Sequence, residues 1–228
     1  LGDVYKRQIY MYTEAFGRAS YLVSRSRGKK STVSKALFIP LSVLEMEVEH
    51  LNKRDLHRIK ETRICFPLND VCCDPVKNVL ALFLSEVLFR VVKDTEPDPR
   101  LFDYLYESIH LLEYADKGIA NFHMVFLLGL LHHLGIFPNM ESHRVGYYFD
   151  MLNGVFTDHI PMHRHYLNKV ESAFFSRLLR ISFENMSLYG FSRQERVRII
   201  HRILEYYCLH LPDFPEIKSL SVMQSLFD

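Results

Sequence analysis

Between Ala15 and Leu44 the sequence contains neither aspartate nor glutamate, although 27 acidic residues are spread over the rest of its 228 positions. Other shortages are as informative. The chain has only four cysteines, Cys65, Cys72, Cys73 and Cys208. They form no CxxC pair and no zinc-ribbon spacing, so free thiols in a reducing compartment are expected rather than a disulfide framework. No run approaches the ~18 consecutive apolar residues of a membrane span; the most apolar stretch, Met124 to Leu131, ends at His132 and His133. No secretory signal is recognisable, and Leu1 stands where an initiator methionine would, so the chain reads as a fragment of a cytoplasmic protein. No GxSxG, P-loop or HExxH pattern occurs, and no nucleophile has a base at motif spacing, so an enzyme is not expected.

Against these absences stands a segregated charge. The acid-free window carries Arg18, Arg25, Arg27, Lys29, Lys30 and Lys35, whereas the whole chain balances 28 basic against 27 acidic side chains. Gly17, Gly28 and interspersed serines suggest turns and a loop, and Phe16 and Tyr21 offer rings on which bases could stack. Such a surface fits a polyanion, because each cation that meets a phosphate releases condensed counterions. The competing reading is a solvated charge run that keeps the protein soluble.

The hydrophobic fraction of 48%, with 17 phenylalanines and 13 tyrosines, is enough for a true core. Up to about Pro67 the sequence has strand character. Ile9 to Thr13 and Ser20 to Val23 flank a turn at Gly17, and Ala36 to His50 ends in an alternation of Val43, Met46 and Val48 with Glu45, Glu47 and Glu49. A weaker alternation follows the turn Asn52 to Asp55. Strands this short and close in sequence suit a small barrel. After Asp70 the period becomes helical: Asp74-Pro75 and Asp98-Pro99 each place an N-cap acid before a first-turn proline. These predict helices over Val76 to Val92 and Arg100 to Ala115, followed by an apolar central helix over Ile119 to Leu134. Further helices are predicted over Asn168 to Ile181, over Arg193 to Leu211 behind the capping box Ser192-Arg-Gln-Glu195, and over Ile217 to Phe227. Pro138 to Tyr166 reads as irregular.

The residues resemble one family. Tyr12-Thr-Glu-Ala-Phe-Gly-Arg-Ala-Ser-Tyr-Leu-Val23 is similar to the T-x-x-x-G-x-x-x-x-x-V hairpin in the amino-terminal OB-fold of the RecO family of bacterial recombination mediators. Arg25-Ser-Arg-Gly-Lys-Lys30 resembles its basic loop, and Leu37-Phe-Ile-Pro-Leu41 its L-x-P-x strand entry. Asn121-Phe-His-Met-Val-Phe-Leu-Leu128 with Leu134-Gly-Ile-Phe-Pro-Asn139, and Phe149-Asp150 with Gly154-Val-Phe-Thr157, resemble motifs of its helical half. The resemblance covers roughly residues 9 to 228. It departs from the family at Met140 to Phe149, which lacks the zinc-ribbon cysteines of many members, and at residues 1–8, which match nothing in the family and read as a junction.

The resemblance implies an α+β chain: an OB-fold-like DNA-binding domain over 9–68, with its first barrel strand missing, then a helical carboxy-terminal domain over 69–228. It implies a role in DNA repair, DNA damage and the SOS response. The protein would bind single- and double-stranded DNA, anneal complementary strands, and work with RecR to load RecA on strands covered by single-strand-binding protein. Arg18, Tyr21, Arg25, Arg27, Lys29, Lys30 and Lys35 are the expected DNA contacts. Arg193, Arg196, Arg198 and Arg202, beside Ile199, Ile200 and Ile203, are expected to take the acidic tail of single-strand-binding protein. No cofactor or metal is expected; His143, His159, His163 and His165 fall where a zinc ribbon would lie but read as a surface loop. The rival readings are a helical protein-interaction module with an incidental basic loop, and a nuclease built on Glu45, Glu47 and Glu49.

Overall fold

The computed structural model describes residues 6–24, 37–51 and 54–226. Strands β1 (Lys6–Thr13), β2 (Gly17–Ser24), β3 (Leu44–Glu49) and β4 (His57–Ile64) form one sheet in the order β1-β2-β4-β3. Helices α1 (Asn69–Cys73), α2 (Pro75–Val91), α3 (Pro99–Tyr114) and α4 (Ile119–His133) follow. Three short strands come next, β5 (Tyr148–Asp150), β6 (Val155–Thr157) and β7 (Tyr166–Leu167). Helices α5 (Lys169–Leu178), α6 (Arg193–His210) and α7 (Ser219–Leu226) complete the order. The chain is thus mixed α+β, strand-rich at the start and helical afterwards. It divides into two compact units, Leu1–Tyr114 with Ile217–Met223, and Ala115–Glu216 with Gln224–Asp228.

In the first unit the β1–β2 hairpin turns at Gly17, with φ +58°. Thr13 Oγ1 accepts from the Phe16 N–H and donates to the Gly17 carbonyl, both at 3.0 Å, which closes the turn. The antiparallel register runs from Lys6↔Ser24 to Thr13↔Gly17, so Lys6 to Gln8 are paired strand residues. β2 and β4 run parallel, with Tyr21 opposite His57, and β3 lies antiparallel to β4. The register shifts between Glu47 and Val48, which face Glu61 and Ile59, leaving Lys60 as a bulge.

The two N-caps form as their spacing predicts. Asp74 Oδ1 accepts from Val76 N at 2.7 Å and Lys77 N at 3.1 Å, and Asp98 Oδ1 accepts from Arg100 N at 2.9 Å and Leu101 N at 3.2 Å. The short helix α1 has no such signal. Its first N–H groups, on Asp70 and Val71, are met at 2.9 and 3.0 Å by the Glu113 carboxylate, which comes from the far end of α3. The Glu113 carbonyl in turn accepts from Lys77 Nζ at 2.6 Å, and Asp70 Oδ2 lies 3.3 Å from the same ammonium. Both Lys77 and Glu113 are only 4% exposed. Ser219 at the start of α7 donates to Glu86 on α2 through its N–H at 2.8 Å and its hydroxyl at 2.6 Å. Burial opposes ionisation of Glu86, yet these donors, with Lys218 N and Arg90, hold its carboxyl below the ordinary range.

In the second unit α4 is the central helix, with every residue from Asn121 to Leu128 buried. Tyr207 of α6 donates to the Leu127 carbonyl at 2.7 Å. The stretch that reads as irregular contains the small sheet β6-β5-β7. Its centre is Phe149, fully buried against the rings of Phe156, Phe175 and Tyr206. Strands of two or three residues are too short to show alternation, and it is the Asp150 side chain, accepting from Leu152 N and Asn153 N, that shapes the turn between β5 and β6.

Two packing features give measurable expectations. A Cβ on Gly17 would stand 2.4 Å from the Glu96 carbonyl oxygen in a left-handed backbone. Gly17→Ala is therefore expected to cost roughly 2 kcal/mol or more, read as a lower denaturant midpoint. In the second unit His123 is fully buried, and burial, reinforced by the Arg196 charge, pushes its pKa down to about 3. Its neutral form is favoured on folding, so this stability is present above the unfolded pKa of ~6.5 and drains away as pH falls toward 3. Between pH 7 and pH 5 the wild type should lose about 2 kcal/mol through this group. His123→Gln should flatten that part of the unfolding profile even if the variant starts from lower stability.

Candidate nucleic-acid interface

The expected DNA contacts separate into two groups. Arg25, Arg27, Lys29, Lys30 and Lys35 lie outside the described residues, in the stretch of sequence joining β2 to Leu37. Arg18 and Tyr21 lie on β2 itself, and both have structural neighbours. Arg18 Nη1 donates to the carbonyls of Phe89 at 3.0 Å and Val92 at 2.8 Å, groups that the end of helix α2 leaves without intrahelical partners. Its guanidinium also lies over the rings of Tyr10 and Phe89, at 5.2 and 4.7 Å. Tyr21 is 1% exposed and faces His57, so neither side of its ring is open to a base.

A ring stack not anticipated from the sequence sits beside Tyr21. Phe16 lies flat on His50 at 3.9 Å, and His50 on His57 at 3.9 Å. Burial lowers the His57 pKa, and the neighbouring His50 adds to the effect. The seven-residue spacing across a turn that brings the two imidazoles together carries no recognisable sequence signal.

The acidic strand is neutralised from its neighbour. Glu45, Glu47 and Glu49 lie on the exposed side of β3. Arg63 makes a forked pair with Glu45, and Lys60 at the bulge pairs with Glu47 at 3.3 Å. Arg63 holds the Glu45 carboxyl below its usual range. Carboxylates paired with cations on an exposed strand do not converge on a metal, and among the described residues no three His, Cys, Asp or Glu side chains do so. The histidines of the long segment are dispersed. His163 lies 3.2 Å from Asp150, His165 lies 3.4 Å from Glu205, His159 pairs with Asp158, and His143 meets Phe156 edge-on.

With this architecture in view, comparison with known proteins is decisive. The family model described as recombination protein O C terminal matches residues 73–220. The DNA repair protein RecO of Bacteroides fragilis is 44% identical over 221 residues, 96% of this chain and 91% of that protein. The RecO of Azobacteroides pseudotrichonymphae is 41% identical over 220 residues, again 96% and 91%. That of Flavobacterium johnsoniae is 31% identical over 217 residues, 95% and 90%. The chain belongs to the RecO family.

In this RecO-family chain the arginines of α6 occupy different settings. Arg196 donates to the Phe191 carbonyl. Arg202 pairs with Glu205 at 2.7 Å and reaches Glu171 of α5 at 3.5 Å. Arg193 and Arg198 are exposed near the start of the helix. The isoleucines expected to line a groove beside them, Ile199, Ile200 and Ile203, are buried, so the apolar face of α6 packs into the second unit. Among the described residues no helix is long and apolar enough to cross a membrane.

The geometry of Arg18 yields a test. Arg18→Ala removes two charge-assisted hydrogen bonds to helix-terminal carbonyls and is expected to cost about 1–3 kcal/mol of stability. The salt slope of any nucleic-acid binding should stay unchanged in the variant, a combination that separates an architectural arginine from a phosphate ligand.

Proposed function

We propose that this chain is a DNA-binding recombination mediator. It holds single- and double-stranded DNA on the cationic stretch of 9–68, and its helical portion, 69–228, contacts protein partners. The observation that carries the reading is the acid-free segment of the sequence between β2 and β3, which bears Arg25, Arg27, Lys29, Lys30 and Lys35 in a chain of the RecO family. The relatives' name, DNA repair protein RecO, supports the same role.

The mechanism is charge neutralisation. Two complementary strands repel each other through their phosphates; cations on one protein surface lower that repulsion and release counterions, so annealing proceeds without covalent chemistry. Partnership with RecR, delivery of RecA and capture of the single-strand-binding protein tail complete the proposal. For the tail, Arg193, Arg198 and Arg202 are the arginines of α6 that are exposed, and their charge suits an acidic ligand.

Replacing Arg25, Arg27, Lys29 and Lys30 by alanine tests the central claim. DNA affinity should fall, and the slope of log K against log salt should flatten by about 0.7 per lost phosphate contact on single strands and about 0.9 on duplex. Titrations at two or more salt concentrations measure it. An unchanged slope in a folded variant would remove this segment from the binding surface.

A further inference from the structure

From Ile64 to Val76 and from Leu101 to Asp116 the sequence contains neither lysine nor arginine. The first unit brings these two stretches together. Glu113 of α3 accepts from the Asp70 and Val71 N–H groups of α1. The Phe66 ring meets Tyr106 at 5.7 Å and His110 at 5.4 Å, edge-on to both, and His110 packs against Tyr114 at 4.7 Å. Tyr106, His110 and Tyr114 follow one another at intervals of four residues, so they form one row along α3, about 12 Å from first to last. Asp103, Glu107 and Leu111 form the row beside it. Tyr114 is 60% and Leu111 41% exposed, and Asp103, Glu107 and His110 are exposed as well. Neither Asp103 nor Glu107 is paired with a cation among the described residues. Glu107, His110, Leu111 and Tyr114 do not line the cleft that β1 and β3 border, so this face of α3 stands apart from the sheet.

We infer that this face of α3 docks an extended, arginine-bearing segment of a protein partner. Three features select that occupant. Ring faces attract a guanidinium, and carboxylates beside the rings accept its N–H groups. A phosphate backbone or an anionic lipid headgroup would meet Asp103 and Glu107 with no cation to offset them, so charge complementarity turns both away. Spacing is the third feature. Successive rings of the row lie about 6 Å apart along the helix, and alternate residues of an extended chain about 6.6 Å apart, so arginines at every second position fall one to a ring. The inference rests on the reading that the helical portion contacts protein partners, and it is independent of DNA binding.

The probe is a fluorescently labelled seven-residue peptide with arginine at its second, fourth and sixth positions and threonine elsewhere, titrated onto the full chain. It should bind saturably and shift the NMR ring signals of His110 and Tyr114. An isomer with its three arginines contiguous, equal in charge but out of step with the rings, should bind ~5-fold more weakly. Glu107→Gln combined with Tyr114→Ala should weaken binding ~10-fold or more, with DNA affinity and the denaturant midpoint near wild type. Glu107→Lys should abolish saturable binding, whereas Glu184→Gln, at an exposed acid of the second unit, should leave it unchanged. Absence of binding, equal binding of the isomer, or undiminished binding by the double variant would overturn the inference. Equal competition by spermidine would reduce the face to a general counterion surface and overturn it too. Binding that shifts only rings outside α3 would do the same while leaving the partner-binding reading of the helical portion intact. A dimer that Glu107→Lys dissociates would assign the face to a second copy, against the inference.

Discussion

The joint between the hairpin and the helices rests on one arginine. Arg18 belongs to the cationic window by sequence, yet its guanidinium is the C-terminal cap of α2, held by two carbonyls and sandwiched near the rings of Tyr10 and Phe89. Neighbouring contacts depend on the same placement. The Arg18 N–H donates to the Asp94 carbonyl at 3.0 Å, and Tyr12 on the adjoining strand exchanges hydrogen bonds with Asp98, the residue that caps α3. The turn from α2 to α3 is thus clamped against the hairpin, and Gly17 is the residue that permits so close an approach.

Charge on the sheet is arranged so that most of it cancels locally. The acids of β3 meet the bases of β4, and these exposed pairs contribute little to stability while removing a repulsive acidic stripe from the strand face. A polyanion approaching this sheet would otherwise meet Glu45 and Glu47 unscreened. The pairing leaves the unbalanced positive charge in the window of sequence that has no acids.

Much of this architecture was legible because its signals are local. An aspartate before a proline, or a serine three residues before a glutamate, carries its own hydrogen-bonding partner within one turn, and α2, α3 and α6 begin where those signals stand. What escaped depends on distant partners. α1 is capped by Glu113, some forty positions away, and β5 to β7 are held by the Phe149 cluster rather than by strand patterning. β3 is shorter than its apolar run suggests because Pro40 and Leu41, the latter with φ +62°, form a turn just before it. At the candidate interface the segregation of charge was readable, but the sequence carried no sign that Arg18 binds two helix-end carbonyls, since a cation's neighbours in space decide what it binds. Tyr21 carried the same ambiguity, being a ring beside cations in sequence and a core residue in space.

Lys77 and Glu113 have a consequence for how this protein can change over generations. The lysine ammonium depends on a carbonyl from α3, while the carboxylate of that same residue completes the first turn of α1. A change at Lys77 strands the Glu113 carbonyl, and a change at Glu113 strands the Asp70 and Val71 N–H groups inside the first unit. Because both ties end on backbone groups that every residue type carries, no replacement at one position repairs a loss at the other, and each site is held to its own residue.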